Sequence, residues 1–215
     1  PTDEIPIGRV MLHLRSERQL YIATVQDDCY LLRFFGTCDI AINRELSRAT
    51  VAPVEGSDPG VIPVLVSGTL LAFILTVRGA PILHGSAVQV GGAVLAFVGA
   101  SGMGKSTMAT LMSADGARLI TDDILRLDLS TKPPMCSLGA TELRLRKAAG
   151  DLAARFREMP RRRLTGDDRD ALTIGAVGDE AAPLVAIVVP LPDKSSDRTE
   201  PVIERLGAMD AFLML

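Results

Sequence analysis

Apolar and polar positions alternate loosely through residues 9–54 in runs at 10–15, 19–25, 29–35 and 39–43. Polar clusters such as Ser16-Glu17-Arg18 and Gln26-Asp27-Asp28 separate the runs. Period-two segments punctuated in this way predict a small antiparallel sheet. The stretch Glu55-Gly56-Ser57-Asp58-Pro59-Gly60 is rich in turn residues and marks a boundary. The expected division is therefore a small antiparallel β region over 1–60 and a core over 61–215. Residues 64–77 are apolar on every side and predict a buried helix.

Beyond this helix the pattern is a hairpin. Ile82–Val90 and Ala93–Val98 are extended apolar runs joined by Gly91-Gly92. A glycine-rich loop and a helix over Lys105–Ala114 follow. Residues 118–121 read as a buried strand ending at Asp122-Asp123, residues 142–146 as a short strand, and 148–157 as a helix. Residues 161–170 read as a solvated charged loop, in which Arg161, Arg162, Arg163 and Arg169 sit with Asp167, Asp168 and Asp170; a substrate clamp is the other reading of Arg161-Arg162-Arg163. A buried strand at 184–189 and a helix after Pro201 complete the pattern.

The loop changes the picture from fold to chemistry. Gly99-Ala100-Ser101-Gly102-Met103-Gly104-Lys105-Ser106 fits G-x-x-x-x-G-K-[ST] at every fixed position, and Thr107 follows in the first turn of the helix. Glycines let successive backbone N–H groups turn toward phosphate oxygens without a Cβ in the way. The helix N-terminus adds a positive dipole end. Lys105 is placed to reach the β- and γ-phosphates, and the Ser106 hydroxyl to ligate Mg²⁺. Asp122-Asp123, at the end of the next strand, divides into a base that accepts the acceptor's proton and a carboxylate for Mg²⁺. His84 lies on the strand hairpinned to the one entering the loop, opposite or just beyond the loop's start. His13 has no partner motif and is assigned no role.

Composition narrows the function classes. The 215-residue chain is 47% hydrophobic and 23% charged, enough apolar material for a buried core. Its net charge of −3 and 4% aromatic content without Trp argue against a nucleic-acid partner. Cys29, Cys38 and Cys136 show no metal-ligand spacing and read as ordinary thiols in a reducing cytoplasm. No leader pattern opens the chain. The apolar stretch 61–77 is shorter than the roughly 20 residues that span a bilayer and contains Pro63, Ser67 and Gly68, so no membrane partner is expected. The absent initiator Met and the apolar residues 211–215 at the end read as a chain trimmed at its termini.

The block His84-Gly85-Ser86-Ala87-Val88, then Gly91-Gly92, the loop 99–106 and Thr121-Asp122-Asp123 together resemble HPr kinase/phosphorylase. This is a bacterial protein-serine kinase family whose fold is similar to phosphoenolpyruvate carboxykinase. Glu142-Leu143-Arg144 is similar to the Glu-Ile-Arg of the family's downstream signature. The resemblance implies an α/β P-loop core, ATP and Mg²⁺, and a Ser hydroxyl as acceptor. It also implies Asp122 as base, following the family's first Asp, with Asp123 and Ser106 toward the metal and His84, Lys105 and Arg144 as supporting catalytic residues. The glycine-rich run after the downstream signature is replaced by Leu145-Arg146-Lys147-Ala148, and the N-terminal region is short. Both departures resemble the small HPr-kinase-like proteins of ribosomal (lasso) peptide pathways, where a precursor peptide is phosphorylated. The expected partners are a peptide or small-protein acceptor and a nucleotide. Full-length relatives form homo-oligomers, so self-association is among the expectations. The alternatives are an HPr serine kinase/phosphorylase, a kinase of a small metabolite, or a nucleotide-binding module without transfer.

Overall fold

The computed structural model describes residues 4–15, 19–166, 169–175, 177–192 and 200–214. Contacts divide the chain into two compact units, Pro1–Thr69 and Leu70–Leu215. The turn expected at 16–18 lies outside the described residues, as do Asp167 and Asp168.

The first unit is an antiparallel meander of β1 (Arg9–Arg15), β2 (Gln19–Val25), β3 (Cys29–Phe34), β4 (Cys38–Asn43) and β5 (Ala49–Pro53), in that order. Alternation in β4 buries Cys38, Ile40 and Ile42, and the same side of β3 buries Leu32 and Phe34. Tyr21 and Phe34 face each other across β2 and β3 with ring centroids 5.3 Å apart. Helical turns follow at α1 (Val61–Leu65), a π-turn (Val66–Leu70) and α2 (Leu71–Val77). The single buried helix expected at 64–77 is corrected here: the segment is broken by the π-turn, Leu70 is buried but most other residues are half-buried, and Val66 and Leu71 are exposed.

The second unit centres on a closed barrel in the order β13 (Ala181–Val188), β7 (Ala93–Val98), β6 (Ile82–Val90), β8 (Arg118–Asp128) and β9 (Met135–Ser137). Period-two alternation sorts its side chains. Ala87, Ala96, Ile120, Cys136 and Leu184 form one buried cluster drawn from all five strands. Their neighbours Val88, Phe97 and Leu119 turn the other way. There they pack with α3 (Lys105–Ala114), a 3₁₀ helix (Lys147–Arg155) and a three-stranded sheet ordered β10 (Glu142–Leu145), β12 (Asp170–Thr173), β11 (Arg161–Leu164). Each fully buried large side chain here contributes roughly 1.5–3 kcal/mol. A short helix α4 (Ala208–Met214) ends the described chain.

The expected α/β core is therefore corrected. The protein is mostly strand, 41% against 20% helix, with a closed five-stranded barrel and antiparallel sheets. Among the named strands only β7 and β13 pair in parallel. An α/β core is built largely from parallel strands joined by helical crossovers. Here α3 is the one such helix among the described residues, and the chain after β8 turns back through β9 and β10. Local expectations change as well: within the buried strand expected at 184–189 Leu184 is buried but Val185 and Ile187 are exposed. The strand starting at Arg118 runs through Asp122-Asp123 to Asp128, and Arg161–Leu164 is a strand rather than a loop.

Candidate active site

The segment 99–106 joins β7 to α3 and adopts the conformation its glycines permit. Gly99, Gly102 and Gly104 have φ of 128°, 87° and 95°, values that a side chain would strain. Gly104 stands at the N-cap of α3 without any side-chain capping bond, and the first turn lines a cleft of about 370 Å³. Uncapped N–H groups at the mouth of a cleft are ready anion donors. Ser101, Gly102, Gly104, Lys105, Ser106 and Thr107 line this cleft. Gly99 and Ala100 act through their carbonyls, which accept from Lys105 Nζ at 2.8 and 3.0 Å. Met103 closes the turn, its N–H donating to Ala100 O at 3.4 Å. Burial pushes the Lys105 ammonium down; Asp122 and Asp123 oppose this, and Arg169 and Arg146 add to it.

The antiparallel β6–β8 ladder delivers the acidic pair. Ser86 stands opposite Asp122 and Gly85 opposite Asp123. Asp122, 4% exposed, is held on both carboxylate oxygens. Oδ1 accepts from Ser86 Oγ at 2.5 Å and from Ser106 Oγ at 2.8 Å, while Oδ2 accepts from the Arg144 backbone N–H at 2.8 Å. Burial raises its pKa, and these three hydrogen bonds oppose the rise.

Successive residues of a regular strand face opposite ways, so one carboxylate of an Asp-Asp pair should point away from the cleft. Asp123 avoids this with a φ of 113°, an uncommon conformation for a residue with a Cβ. Strain of this kind costs on the order of 1–3 kcal/mol and persists where surrounding contacts hold it. Those contacts are visible. His84 Nδ1 lies 2.9 Å from the Asp123 carbonyl and 3.2 Å from its Oδ1, and Arg144 Nη2 donates to its Oδ2 at 2.7 Å. A carbonyl only accepts, so the first contact requires the proton on Nδ1. Burial raises the Asp123 pKa, but the His84 hydrogen bond and the Arg144 charge outweigh it and hold the carboxyl low. The side chains of Asp123 and His84 are 22% and 61% exposed, so this pair meets solvent while Asp122 does not.

Of the expected residues, His84, Ser101, Gly102, Gly104, Lys105, Ser106, Thr107, Asp122, Asp123 and Arg144 line one cleft, and Gly99, Ala100 and Met103 do not. Sequence reasoning passed over Ser86, Arg146 and Arg169, which also line it. Ser86 shares the His84 face of β6 by simple alternation, a signal present in the sequence. Arg146 and Arg169 are brought in by β10 and the start of β12, whose pairing carried no such signal. His13 lies in β1, in the first unit.

The donor set suits a divalent cation with a polyphosphate. Ser106 Oγ and the two carboxylates supply hard oxygens, and Mg²⁺ is commonly held by one or two carboxylates with substrate phosphates completing its shell. Among the described residues no cluster of three His, Cys, Asp or Glu forms an all-protein metal cage. Lys105, Arg144, Arg146 and Arg169 outnumber the two carboxylates in the cleft, although the chain as a whole carries −3. Such a local cation excess favours an anionic ligand. No helix among the described residues is long and apolar enough to cross a membrane. No protein-family model matches the chain, and no curated protein matches it.

Proposed function

We propose that the protein is an ATP- and Mg²⁺-dependent kinase that phosphorylates a Ser hydroxyl of a peptide or small protein. The observation that carries this reading is the division of labour in the acidic pair. Asp122 is buried on the loop's own Ser106 hydroxyl, while Asp123 is only partly buried, beside the exposed His84 in the same cleft. A nucleotide-binding module without transfer has no need of a strained, solvent-facing carboxylate next to its phosphate loop.

The contacts favour roles opposite to those expected from the family's order. Asp122 orients Ser106 Oγ, and together these two would hold the metal. Asp123 is the general base: its carboxylate takes the proton of the acceptor hydroxyl. His84 Nδ1 and Arg144 Nη2 fix its geometry. Lys105 and the loop N–H groups bind the β- and γ-phosphates. Mg²⁺ bound with the nucleotide supplies charge neutralisation of the transferred phosphoryl group. The peptide acceptor, and a ribosomal (lasso) precursor in particular, comes from the resemblance to the small HPr-kinase-like proteins.

The test is transfer of label from γ-labelled Mg·ATP to a library of Ser-containing peptides, with Asp123→Asn as control. Labelling that survives Asp123→Asn unchanged would remove the base from the mechanism. Binding of Mg·ATP without labelling of any peptide would leave the non-transferring module as the better reading.

A further inference from the structure

The chain departs from the pattern of the family it resembles at the end of β10, where Leu145-Arg146 stands in place of a glycine-rich run. Leu145 is buried in the core, which anchors the segment. Arg146, the N-cap of the 3₁₀ helix in extended conformation, reaches across the cleft to the glycine-rich loop. Its Nη2 donates to Ser101 Oγ at 3.2 Å. The place where a Cβ would stand on Gly102 lies 3.6 Å from its Nη1 and 3.9 Å from its Cζ. The guanidinium thus lies against the loop at Ser101 and Gly102, and Lys105 engages the same loop at Gly99 and Ala100.

The electrostatics of this arrangement are unbalanced. Arg146 pairs with no carboxylate among the described residues; its one hydrogen-bond partner there is a neutral hydroxyl. It shares the cleft with Lys105 and adds to the repulsion that the ammonium feels. Like charges held together around a loop of inward-turning N–H groups are favourable when an anion lies between them. A guanidinium offers a planar fork of N–H donors that matches two phosphate oxygens at once, which an ammonium cannot do.

We propose that Arg146 is a second phosphate-binding cation of this site, gripping the phosphate chain of a nucleoside polyphosphate from the Ser101–Gly102 end of the loop while Lys105 holds the Gly99–Ala100 end. The inference rests on reading the cleft as a nucleotide site. It adds a selection rule: affinity should rise steeply with the number of phosphates, because each cation needs its own oxygens.

Calorimetry on the full chain with Mg·ATP, Mg·ADP and inorganic tripolyphosphate tests this, using Arg146→Ala, Arg146→Lys and Arg146→Gln. Loss of charge-assisted hydrogen bonds should weaken Mg·ATP and tripolyphosphate about 10–100-fold in Arg146→Ala and Arg146→Gln, with partial recovery in Arg146→Lys. Mg·ADP should lose less. The ligand-free melting temperature should stay near wild type, because the side chain is exposed. Should Arg146→Ala unfold, Arg146→Gln removes the charge and the guanidinium fork while leaving a polar side chain at the position. Equal binding of tripolyphosphate by wild type and Arg146→Gln would overturn the role of Arg146 and leave the nucleotide reading intact. Failure of the wild type to bind either Mg·ATP or tripolyphosphate would overturn both.

Discussion

Replacing Asp123 with Asn keeps the side chain's size and removes the charge that Arg144 Nη2 meets at 2.7 Å. If Asp123 is the base, transfer should fall about 10²–10⁴-fold while Mg·ATP affinity stays close to wild type. Asp122→Asn should do the reverse, raising the Mg²⁺ concentration needed for binding. The fold should tolerate that change. The Ser86 and Ser106 hydroxyls can rotate to accept from the new amide N–H, and its oxygen can still accept from the Arg144 N–H. Metal titrations followed by calorimetry decide the matter, and loss of Mg²⁺ dependence in Asp123→Asn alone would restore the order expected from the sequence. His84→Ala removes one of the contacts that hold the strained Asp123, so transfer should drop by less than in Asp123→Asn, with nucleotide affinity unchanged. Wild-type transfer in His84→Ala would make that histidine merely structural. Lys105→Ala should abolish transfer in a folded protein. An active, stable Lys105→Ala enzyme would dismiss the loop as a phosphate site.

The element that places these residues is the β6–β8 ladder, and its tightest point is Gly85. A Cβ there would run into the Phe97 carbonyl of β7, with Leu125 Cδ1 and Val98 Cγ1 at 3.1 Å. Gly85→Ala should therefore cost about 1–3 kcal/mol through overpacking, and should also displace its neighbours His84 and Ser86. Urea unfolding and the transfer assay together check this; wild-type stability would mean that the strands shift freely. This region was largely legible. Two extended apolar runs joined by Gly91-Gly92 predicted the β6–β7 hairpin, and the motif at 99–106 predicted α3. Elsewhere local pattern misled. Asp122-Asp123 looked like a strand end, yet β8 continues because both residues keep their ladder partners and the polar groups of Asp123 are met by His84 and Arg144. Arg161–Leu164 looked like a solvated loop. It is an edge strand whose charges are met by neighbours, Arg162 by Asp170 and Arg163 by Glu142. The apolar run 64–77 signals burial by composition, yet in the fold only Gly68 and Leu70 of it are buried.

At the scale of the molecule, the sequence signalled a phosphate loop and the family resemblance implied an α/β core, whereas the second unit closes its strands into a barrel. The closure depends on β9, a three-residue strand paired with β8 on one side and β13 on the other. Nothing in Met135-Cys136-Ser137 marks a strand by periodicity, because three residues are too few to show a period. Its pairing is set instead by long-range register, which is why the closure was not legible. Cys136 reports on it directly. Its side chain is buried in the barrel cluster, and burial pushes the thiol up to about 11. At pH 8 only about one thiol in a thousand would be ionised, and the thiolate is the nucleophile. Cys29, half-buried in the first unit, should react with iodoacetamide well before Cys136. Cys136 should be labelled only as fast as β9 detaches or the second unit unfolds, and its labelling rate should rise with urea in step with loss of the fold. Mass spectrometry of peptides after timed alkylation separates the two sites. If Cys136 reacted as fast as Cys29 in the absence of denaturant, β9 would be fraying from β8 and β13, and the second unit would be an open sheet in solution.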